Sequence, residues 1–255
     1  MSEGRFAGRV AVVTGAGSGI GEAVARGFCA EGGRVTLMGR THAKLAAVAA
    51  ALGDDRTLVV TGDHASPEDT RRVVAATLDA FGRIDVLFNN AGTFDAHAVA
   101  DTSDESLAAT LATNLTGPFL MSRAVLPPMR RAGRGVIVHN ASTLGLRPIP
   151  GAAAYAVAKA GLVMLGKVLA VEEAAHGIRV LVVCPGVVET PIHLQRPGVA
   201  ERGVAAFARA MDALHPLGRS GTPSDVAALV LFLASDAAAW MTGSVITVDG
   251  GIVLV

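Results

Sequence analysis

The sequence of 255 residues is poor in cysteine and in aromatic residues, with two cysteines, one tryptophan and one tyrosine. Cys29 and Cys184 lie far apart in apolar surroundings and match neither a disulfide framework nor the spacing of a zinc site. We therefore expect both to be core residues of a protein in a reducing compartment, and we expect no metal site. The single tyrosine, Tyr155, has a lysine four positions later.

The sequence also lacks net charge, since 22 basic residues balance 22 acidic ones. Without the electrostatic field of a net charge, the protein is not expected to bind nucleic acid or an anionic membrane surface. A small molecule is the expected partner. Hydrophobic residues make up 51% of the chain, but polar residues interrupt each apolar run before the roughly 18 residues that span a bilayer. The N-terminal MSEGRFAGRV has no apolar signal segment. The sequence thus predicts a cytoplasmic protein with no membrane part.

Short runs rich in valine, isoleucine and leucine alternate with longer alanine-rich stretches along the whole chain. Seven runs predict strands, at 9–15, 34–40, 57–63, 84–92, 135–142, 178–186 and 244–251. Their apolar residues are continuous rather than alternating, so the strands should be covered on both faces. The predicted fold class is α/β, a single Rossmann-type domain over residues 1–255 with a doubly wound, mostly parallel seven-stranded sheet and helices on both faces.

One segment breaks this alternation. Residues 187–221 form an unusually long connection directly after the sixth strand. Long connections are usually functional, and open α/β folds bind ligands at the carboxyl ends of their strands. The segment is therefore predicted to be a substrate-binding lid.

A glycine-rich turn follows the first strand, with the sequence TGAGSGIG at 14–21. Backbone amides without side chains can approach a pyrophosphate, and the dipole of the following helix favours its charge. The strict G-x-G-x-x-G pattern fails in every register, whereas T-G-x-x-x-G-x-G fits. A plain strand-to-helix turn is the alternative. The residues expected to bind a dinucleotide here are Gly15, Gly17, Ser18, Gly19, Ile20 and Gly21.

The end of the second strand bears on which dinucleotide binds. NAD sites usually have a carboxylate there for the ribose 2′-hydroxyl, whereas a 2′-phosphate requires an arginine nearby. This chain has Gly39 followed by Arg40. NADP(H) is therefore favoured, with the Arg40 guanidinium donating two charge-assisted hydrogen bonds to the 2′-phosphate. NAD(H) remains possible, because an arginine at this position can also stack on adenine.

The predicted helix 152–176 places Tyr155 and Lys159 on one face. A free phenol has a pKa of about 10 and is a poor base at neutral pH. A lysine ammonium about 5 Å away contributes about 3 kcal/mol at an effective dielectric constant near 20, which lowers the phenol pKa by roughly two units. Ordinary helix neighbours are the alternative interpretation. Ser142, just past a strand, and Asn114, on an earlier helix, add further polar groups.

Taken together, these motifs resemble the short-chain dehydrogenase/reductase family over nearly the whole chain. The matches follow the family's order: TGAGSGIG at 14–21, Asp63, NNAG at 89–92, Asn114, Ser142, Tyr155-x-x-x-Lys159 and PGVVET at 185–190. The resemblance implies a nicotinamide-dependent oxidoreductase that acts on an alcohol/carbonyl pair.

The resemblance also implies a role for each residue. Tyr155 would be the acid/base, Lys159 would bind the nicotinamide ribose, Ser142 would bind the substrate oxygen, and Asn114 would hold a water for proton relay. Further implied cofactor-binding residues are Asp63, His64, Asn90, Ala91, Gly92, Pro185, Gly186, Val188 and Thr190. Two departures from the family pattern, His139-Asn140-Ala141-Ser142 for N-x-S-S and Leu181 for asparagine, concern strand packing, and His139 is expected to be a hydrogen-bonded core residue.

The substrate pocket is expected between the fourth strand, the segment after Ser142, and the lid. Its predicted residues are Phe94, His97, Leu144, Arg147, Val187, His193 and Leu194. Arg147, His193 and Arg196 could bind an acidic or polyhydroxylated substrate, with solvated loop charges as the alternative. The sequence does not identify the alcohol or ketone.

Two alternative functions stay open. One is a 3-ketoacyl-thioester reductase acting on an acyl carrier protein, which needs a basic docking face such as Arg130, Arg131 and Arg134. The other is a non-catalytic dinucleotide-binding redox sensor, because a fold does not determine a function. The family resemblance implies a wider spacing between the tyrosine and the lysine for enoyl reductases than the one found here, so an enoyl reductase is less expected. The family resemblance further implies a homotetramer or homodimer, with helix 155–175 and the C-terminal GGIVLV as candidate surfaces.

Overall fold

The structure is a computed structural model that describes residues 4–195 and 199–255. Within these residues seven strands form one sheet in the order β3-β2-β1-β4-β5-β6-β7, and every pairing is parallel. The strands are β1 (Val10–Thr14), β2 (Arg34–Gly39), β3 (Thr57–Thr61), β4 (Val86–Asn89), β5 (Gly135–Asn140), β6 (Ile178–Pro185) and β7 (Val245–Val248). The predicted α/β class with a seven-stranded parallel sheet is confirmed.

Helices connect the strands and cover both faces of the sheet. They are α1 (Gly19–Ala30), α2 (His42–Leu52), α3 (Pro67–Phe81), α4 (Asp104–Leu111), α5 (Gly117–Ala132), α6 (Ala153–Glu173), α7 (Val199–Arg202), α8 (Val204–Met211) and α9 (Pro223–Ala234). Their starts follow local chemistry. The Ser66 side chain accepts a hydrogen bond from the Asp69 amide at the start of α3, and Thr222 and Asp225 form a reciprocal capping box at the start of α9.

Two buried apolar clusters lie on the two faces of the sheet. One contains Phe28 from α1 and Val230 from α9, and the other contains Val73 from α3 and Met121 from α5. The central strands β1, β4 and β5 are buried along their full length. This burial on both faces accounts for the continuous apolar runs in the sequence.

The predicted strands extend beyond the observed ones, most clearly for β4, which was expected to continue to residue 92 and ends at Asn89. The reason is a polar contact. The amides of Asn90 and Ala91 donate to the side-chain hydroxyl oxygen of Thr14, at 2.9 and 3.0 Å, and not to a backbone carbonyl of β1. The chain therefore leaves the sheet at the point where β1 and β4 lie side by side and the strand order reverses, which is where doubly wound sheets bind ligands.

Helix α6 lies close against the sheet because Gly166 has no side chain. A Cβ atom on Gly166 would lie 2.3 Å from a methyl carbon of Val182 in β6. Together with the turn that follows, Ala153–His176 is long and apolar enough to cross a membrane, and its most apolar 18-residue window has a mean hydropathy of 1.6. Lys159 and Lys167 interrupt its apolar residues, so the sequence contains no uninterrupted apolar run of this length. Half of its most apolar window is buried in the fold, as expected for a core helix.

Residues 187–221 form a loop that is closed at its base. The Gly221 amide donates to the Val187 carbonyl at 2.8 Å, and the Glu189 amide donates to the Gly221 carbonyl at 2.9 Å. Between these anchors the described part of the segment contains α7, α8 and short 3-10 turns at Pro191–Gln195 and Asp212–Leu214. The segment therefore has secondary structure of its own and projects from the carboxyl end of β6.

Candidate active site

A cavity of about 490 Å³ lies at the carboxyl ends of the central strands. Of the residues predicted to bind a dinucleotide, all except Gly21 line this cavity. Among the residues proposed for catalysis, Ser142, Tyr155 and Lys159 line it and Asn114 lies behind the wall. The sequence motifs, although spread over 177 positions from residue 14 to residue 190, are thus brought to one place.

The glycine loop has the geometry of a phosphate site. Gly15 and Gly19 have φ angles of +65° and +58°, which side chains rarely allow. Helix α1 begins at Gly19, and its N-cap residue, Ser18, makes no side-chain capping hydrogen bond to a described residue. The first amides of a helix of 12 residues therefore remain available at the cavity wall, where the helix dipole favours an anion.

Gly21 has a different place from the one predicted. A Cβ atom there would lie 2.4 Å from the Gly15 carbonyl oxygen and 2.6 Å from the Asn90 side-chain nitrogen. Gly21 therefore lets helix α1 pack against the loop and β4, and does not itself face the cavity. The third glycine of the motif has a packing role.

A continuous hydrogen-bond path joins the glycine loop to the lysine. Asn90 Nδ2 donates to the Thr14 carbonyl at 3.0 Å, and Asn90 Oδ1 accepts from Asn140 Nδ2 at 3.0 Å. Lys159 Nζ in turn donates to the Asn140 carbonyl at 2.8 Å. The path crosses β1, the end of β4, β5 and α6. Sequence reasoning did not single out Thr14 or Asn140, although both lie inside motifs that it used.

Tyr155 and Lys159 share the buried face of α6, as their spacing predicts. Tyr155 is 7% exposed, and the Lys159 Nζ atom lies 5.5 Å from the centre of its ring. The Phe94 ring packs edge-on against Tyr155 with centroids 5.0 Å apart. This packing holds the phenol in a fixed orientation at the cavity wall.

Ser142 begins the 3-10 turn Thr143–Gly145 directly after β5. Its hydroxyl oxygen accepts a hydrogen bond from the Leu144 amide at 3.1 Å, which orients the side chain. The hydroxyl can still donate its own hydrogen to an oxygen in the cavity. Ser142 is 8% exposed and lines the same cavity as Tyr155.

Asn114 lies in a π-helical segment, Ala112–Thr116, between α4 and α5, and not on a regular helix as the sequence suggested. Its Nδ2 donates to the carbonyls of Thr93 and Thr110, both at 3.0 Å. Its buried Oδ1 has no hydrogen-bond partner among the described residues. A Cβ atom on Gly92 would lie 3.0 Å from Asn114 Oδ1 and 3.7 Å from Lys159 Nζ. Both polar atoms therefore face one small space that glycine leaves open, and this space suits a bridging water.

Two buried histidines have depressed basicity. His64 lines the cavity, its Nε2 donates to the Thr113 carbonyl at 2.8 Å, and burial lowers its pKa. His139 is fully buried, its Nδ1 accepts from Asn89 at 3.2 Å, and burial lowers its pKa to about 3. The prediction that His139 is a hydrogen-bonded core residue is confirmed. Among the described residues, no group of His, Cys, Asp and Glu could hold a metal ion.

Two cations flank the cavity beyond the glycine loop. Arg40, at the end of β2, and Lys44, on the first turn of α2, both line the cavity and are exposed. A Cβ atom on Gly17 would lie 2.9 Å from the Lys44 Cβ, which shows how close α2 lies to the loop. The described lining near Gly39 contains no carboxylate other than Asp63. Lys44 was missed because nothing in its local sequence distinguishes it from a solvated lysine.

Three residues predicted for the substrate pocket do not line the cavity. The Arg147 guanidinium donates to the Ile252 carbonyl at 3.0 Å. This hydrogen bond to the C-terminal backbone holds the charged side chain away from the pocket. Leu194 is 46% exposed and lies off the wall. His97 is exposed and pairs with Asp95 at 2.9 Å. Arg196 lies outside the described residues.

Four of the predicted pocket residues do line the cavity, namely Phe94, Leu144, Val187 and His193. Apolar residues from the segment after Ser142, the lid and the C-terminus complete the substrate end of the cavity: Ile149, Ile192, Phe207, Met211, Leu214 and Ile252. The i, i+4 spacing of Phe207 and Met211 within the lid was a usable signal for two of them. The sequence around Ile252 gave no such signal, because only the folding of the C-terminal turn brings this residue to the cavity.

Lys159 is 4% exposed, and this burial lowers its pKa from 10.5 to about 8. The group has a lower pKa in the folded protein than in the unfolded chain, so the folded protein loses this proton as the pH rises through about 8. We predict that the Lys159 signal in a ¹³Cε-lysine NMR titration has a midpoint near pH 8. The chain has three lysines, and the signal absent from Lys159→Met identifies the one in question. A midpoint near 10.5 would show that the buried environment does not act on this lysine as inferred.

Comparisons with known proteins agree with this geometry. A family model described as enoyl-(acyl carrier protein) reductase matches residues 15–253. The chain is 38% identical to the 2-(R)-hydroxypropyl-CoM dehydrogenase of Xanthobacter autotrophicus, over 95% of this chain and 97% of that protein. It is 39% identical to the D-threitol dehydrogenase of Mycolicibacterium smegmatis, over 97% and 94% of the two chains.

Solved structures show the same relationship. The 3-ketoacyl-(acyl-carrier-protein) reductase from Brucella melitensis, complexed with NADH, is similar with a TM-score of 0.89 and 34% identity. The alignment covers 97% of this chain and 99% of that one. With the ordered motifs, the parallel sheet and near-complete coverage in agreement, the chain belongs to the short-chain dehydrogenase/reductase family.

Proposed function

We propose that the chain is a cytoplasmic NAD(P)(H)-dependent oxidoreductase that interconverts a secondary alcohol and a ketone, with Tyr155 as the acid/base. The observation that carries the proposal is the arrangement of Tyr155 and Lys159 beside Ser142 in one cavity with the open N-terminus of α1. The family and its relatives support oxidoreductase chemistry on alcohols and ketones.

The cavity fits a nicotinamide dinucleotide. The amides at the start of α1 and the glycine loop would hold the pyrophosphate, and the buried Lys159 ammonium would bind the ribose hydroxyls. Asp63 would accept a hydrogen bond from the adenine amino group, and Val188 and Thr190, which also line the cavity, would hold the carboxamide at the other end. When bound, the nicotinamide supplies or accepts the hydride.

The proton is moved by groups of this chain. In the reducing direction Tyr155 gives its phenolic proton to the substrate oxygen, while the Ser142 hydroxyl donates a hydrogen bond to the same oxygen. The Lys159 ammonium, 5.5 Å from the centre of the ring, stabilises the phenolate that results. A water between Asn114 Oδ1 and Lys159 would return a proton from solvent.

We predict that Tyr155→Phe lowers kcat by roughly 10²- to 10⁴-fold, the usual contribution of a positioned acid/base, because the ring keeps its packing but has no proton to transfer. The dissociation constant for NADPH, measured by fluorescence titration, should stay within about threefold of the wild-type value, since one hydrogen bond at most is removed. Unchanged turnover in the variant would refute the role of Tyr155. A wild-type protein that binds the cofactor but reduces no ketone would instead support the redox-sensor alternative.

We further propose that NADP(H) is the preferred cofactor. Arg40 and Lys44 place two cations at the cavity beyond the glycine loop, and Gly39 occupies the position where an NAD site usually has a carboxylate. The Brucella melitensis neighbour was solved with NADH, so a related site accepts the dinucleotide that lacks the phosphate. The proposed preference therefore rests on Arg40 and Lys44 and not on membership of the family.

We predict that Arg40→Ala raises the dissociation constant for NADPH by about tenfold or more, since a charged hydrogen bond to phosphate is lost, and leaves that for NADH within about twofold. Isothermal titration with both cofactors measures the two effects. Arg71→Ala, an exposed arginine away from the cavity, is the matched control. Equal binding of NADH and NADPH by the wild type, with no effect of Arg40→Ala, would contradict the proposal.

A 3-ketoacyl-thioester reductase remains the second candidate, because the Brucella melitensis neighbour has that activity in its name. Its predicted docking face is only partly available. Arg130 forms a forked ion pair with the buried Glu173, and Arg134 lies 3.7 Å from Asp85. These pairings reduce the positive charge that would attract an acidic carrier protein, so the observations favour a free small-molecule substrate.

We also propose that the protein is a homodimer or homotetramer. The side of α6 opposite Tyr155 carries an exposed apolar stripe, formed by Val157, Met164, Val168 and Val171. Val171 is 82% exposed, which is unusual for a large apolar side chain beside three others. A contiguous stripe of this kind suits a self-complementary interface.

We predict that the double variant Met164→Glu/Val171→Glu is a smaller species than the wild type, because paired stripes would bury unpaired carboxylates. Light scattering coupled to gel filtration measures the mass. The control is Leu217→Glu, at a side chain of similar exposure, 77%, outside α6. A monomeric wild type at micromolar concentration would refute the proposal.

A further inference from the structure

The charges on the cavity wall are unevenly distributed. The described wall has four charged side chains, Arg40, Lys44, Asp63 and Lys159, and none lies beyond Tyr155 toward the lid. The wall at the lid end is instead apolar, and the residues that matter most are Phe94, Leu144, Ile192, Phe207, Met211 and Ile252. A ligand that extends from Tyr155 toward the lid therefore meets hydrocarbon and aromatic side chains.

The polar groups nearest this end are bonded to the backbone. His193 Nε2 donates to the Val188 carbonyl at 2.9 Å, and the Thr190 hydroxyl donates to the same carbonyl at 3.3 Å. Arg147 donates to the Ile252 carbonyl, and Glu189 is exposed. Of the described groups that the sequence offered for an acidic or polyhydroxylated substrate, Arg147 therefore lies off the wall, and His193 lines the wall with its Nε2 held by a backbone carbonyl.

We propose, resting on the function proposed above, that the substrate is an uncharged and largely hydrocarbon ketone or secondary alcohol. Its oxygen would lie at Ser142 and Tyr155, and its aliphatic or aromatic body would lie on the apolar wall. A carboxylate or a row of hydroxyl groups at that wall would lose hydration without gaining partners, whereas hydrocarbon gains by leaving water. Half-exposed Ile149 and Leu214 form the rim, so a longer substrate can extend past them.

Matched pairs of ketones test the proposal with NADPH as the reductant. The substrate 2-octanone and its ω-carboxylate analogue 7-oxooctanoate have the same eight carbons, and 2-butanone and erythrulose differ only in hydroxyl groups. We expect kcat/KM to be about 100-fold higher for 2-octanone than for 7-oxooctanoate, and about tenfold higher for 2-butanone than for erythrulose. Equal or reversed ratios, or a preference for acetoacetyl-CoA over both apolar ketones, would overturn the inference while leaving the proposed function intact.

A complete lack of turnover on every ketone and alcohol, with NADPH still bound, would instead be a failure of the proposed function. If 7-oxooctanoate were preferred and Arg196→Ala removed that preference, the charge of Arg196, which lies outside the described residues, would be binding the substrate carboxylate. That result would also overturn the inference. The outcomes for substrate class and for reaction class are therefore distinguishable.

A pair of variants tests whether this wall is responsible. Leu214→Arg adds a charge at the rim, and we expect it to lower kcat/KM for 2-octanone about tenfold and to narrow the gap to 7-oxooctanoate. Leu217→Arg, three residues further on and off the wall, should leave both values within about twofold. Unchanged NADPH binding in both variants shows that they are folded. Identical effects of the two substitutions would refute the assignment of this surface to the substrate.

Discussion

The rest of the site depends on two hydrogen bonds made by the side chain of Asn90. Its amide nitrogen donates to the end of β1, and its oxygen accepts from Asn140 at the end of β5. Neighbouring parallel strands leave this edge with unpaired polar groups just where the strand order reverses. One carboxamide satisfies groups on both sides of the reversal, and the glycine loop and the α6 lysine are placed relative to each other through it.

The buried lysine shows that the site is built at a cost to stability. Lowering the Lys159 pKa from 10.5 to about 8 corresponds to about 3 kcal/mol of unfavourable burial of the ammonium at neutral pH. The unfolded chain binds more protons than the folded one between these values, so this cost diminishes as the pH rises from 8 toward 10.5. The hydrogen bond to the Asn140 carbonyl and the packing of α6 on β6 oppose it. A charged group held in this way is already oriented before any ligand binds.

Much of the fold and site could be predicted from the sequence, because local patterns determine them. Continuous apolar runs predicted a parallel sheet, and the i, i+4 spacing predicted a shared face for Tyr155 and Lys159. Long-range contacts decided the rest. Strand β4 ends early because Thr14, 76 residues away from Asn90, takes its amide. Arg147 faces away from the cavity because the Ile252 carbonyl, 105 residues further on, accepts its hydrogen bond. Neither acceptor could be identified from the sequence nearby.

The closed base of the lid has a consequence for how such a protein can change over evolutionary time. Residues 187 to 189 and Gly221 bond to each other through their backbones, at 2.8 and 2.9 Å, so the anchor does not depend on which side chains lie between them. Insertions or substitutions within the lid can alter the apolar wall without moving β6, the glycine loop or Tyr155. Selection can therefore alter substrate recognition and cofactor chemistry separately, as two modules that meet only at the cavity.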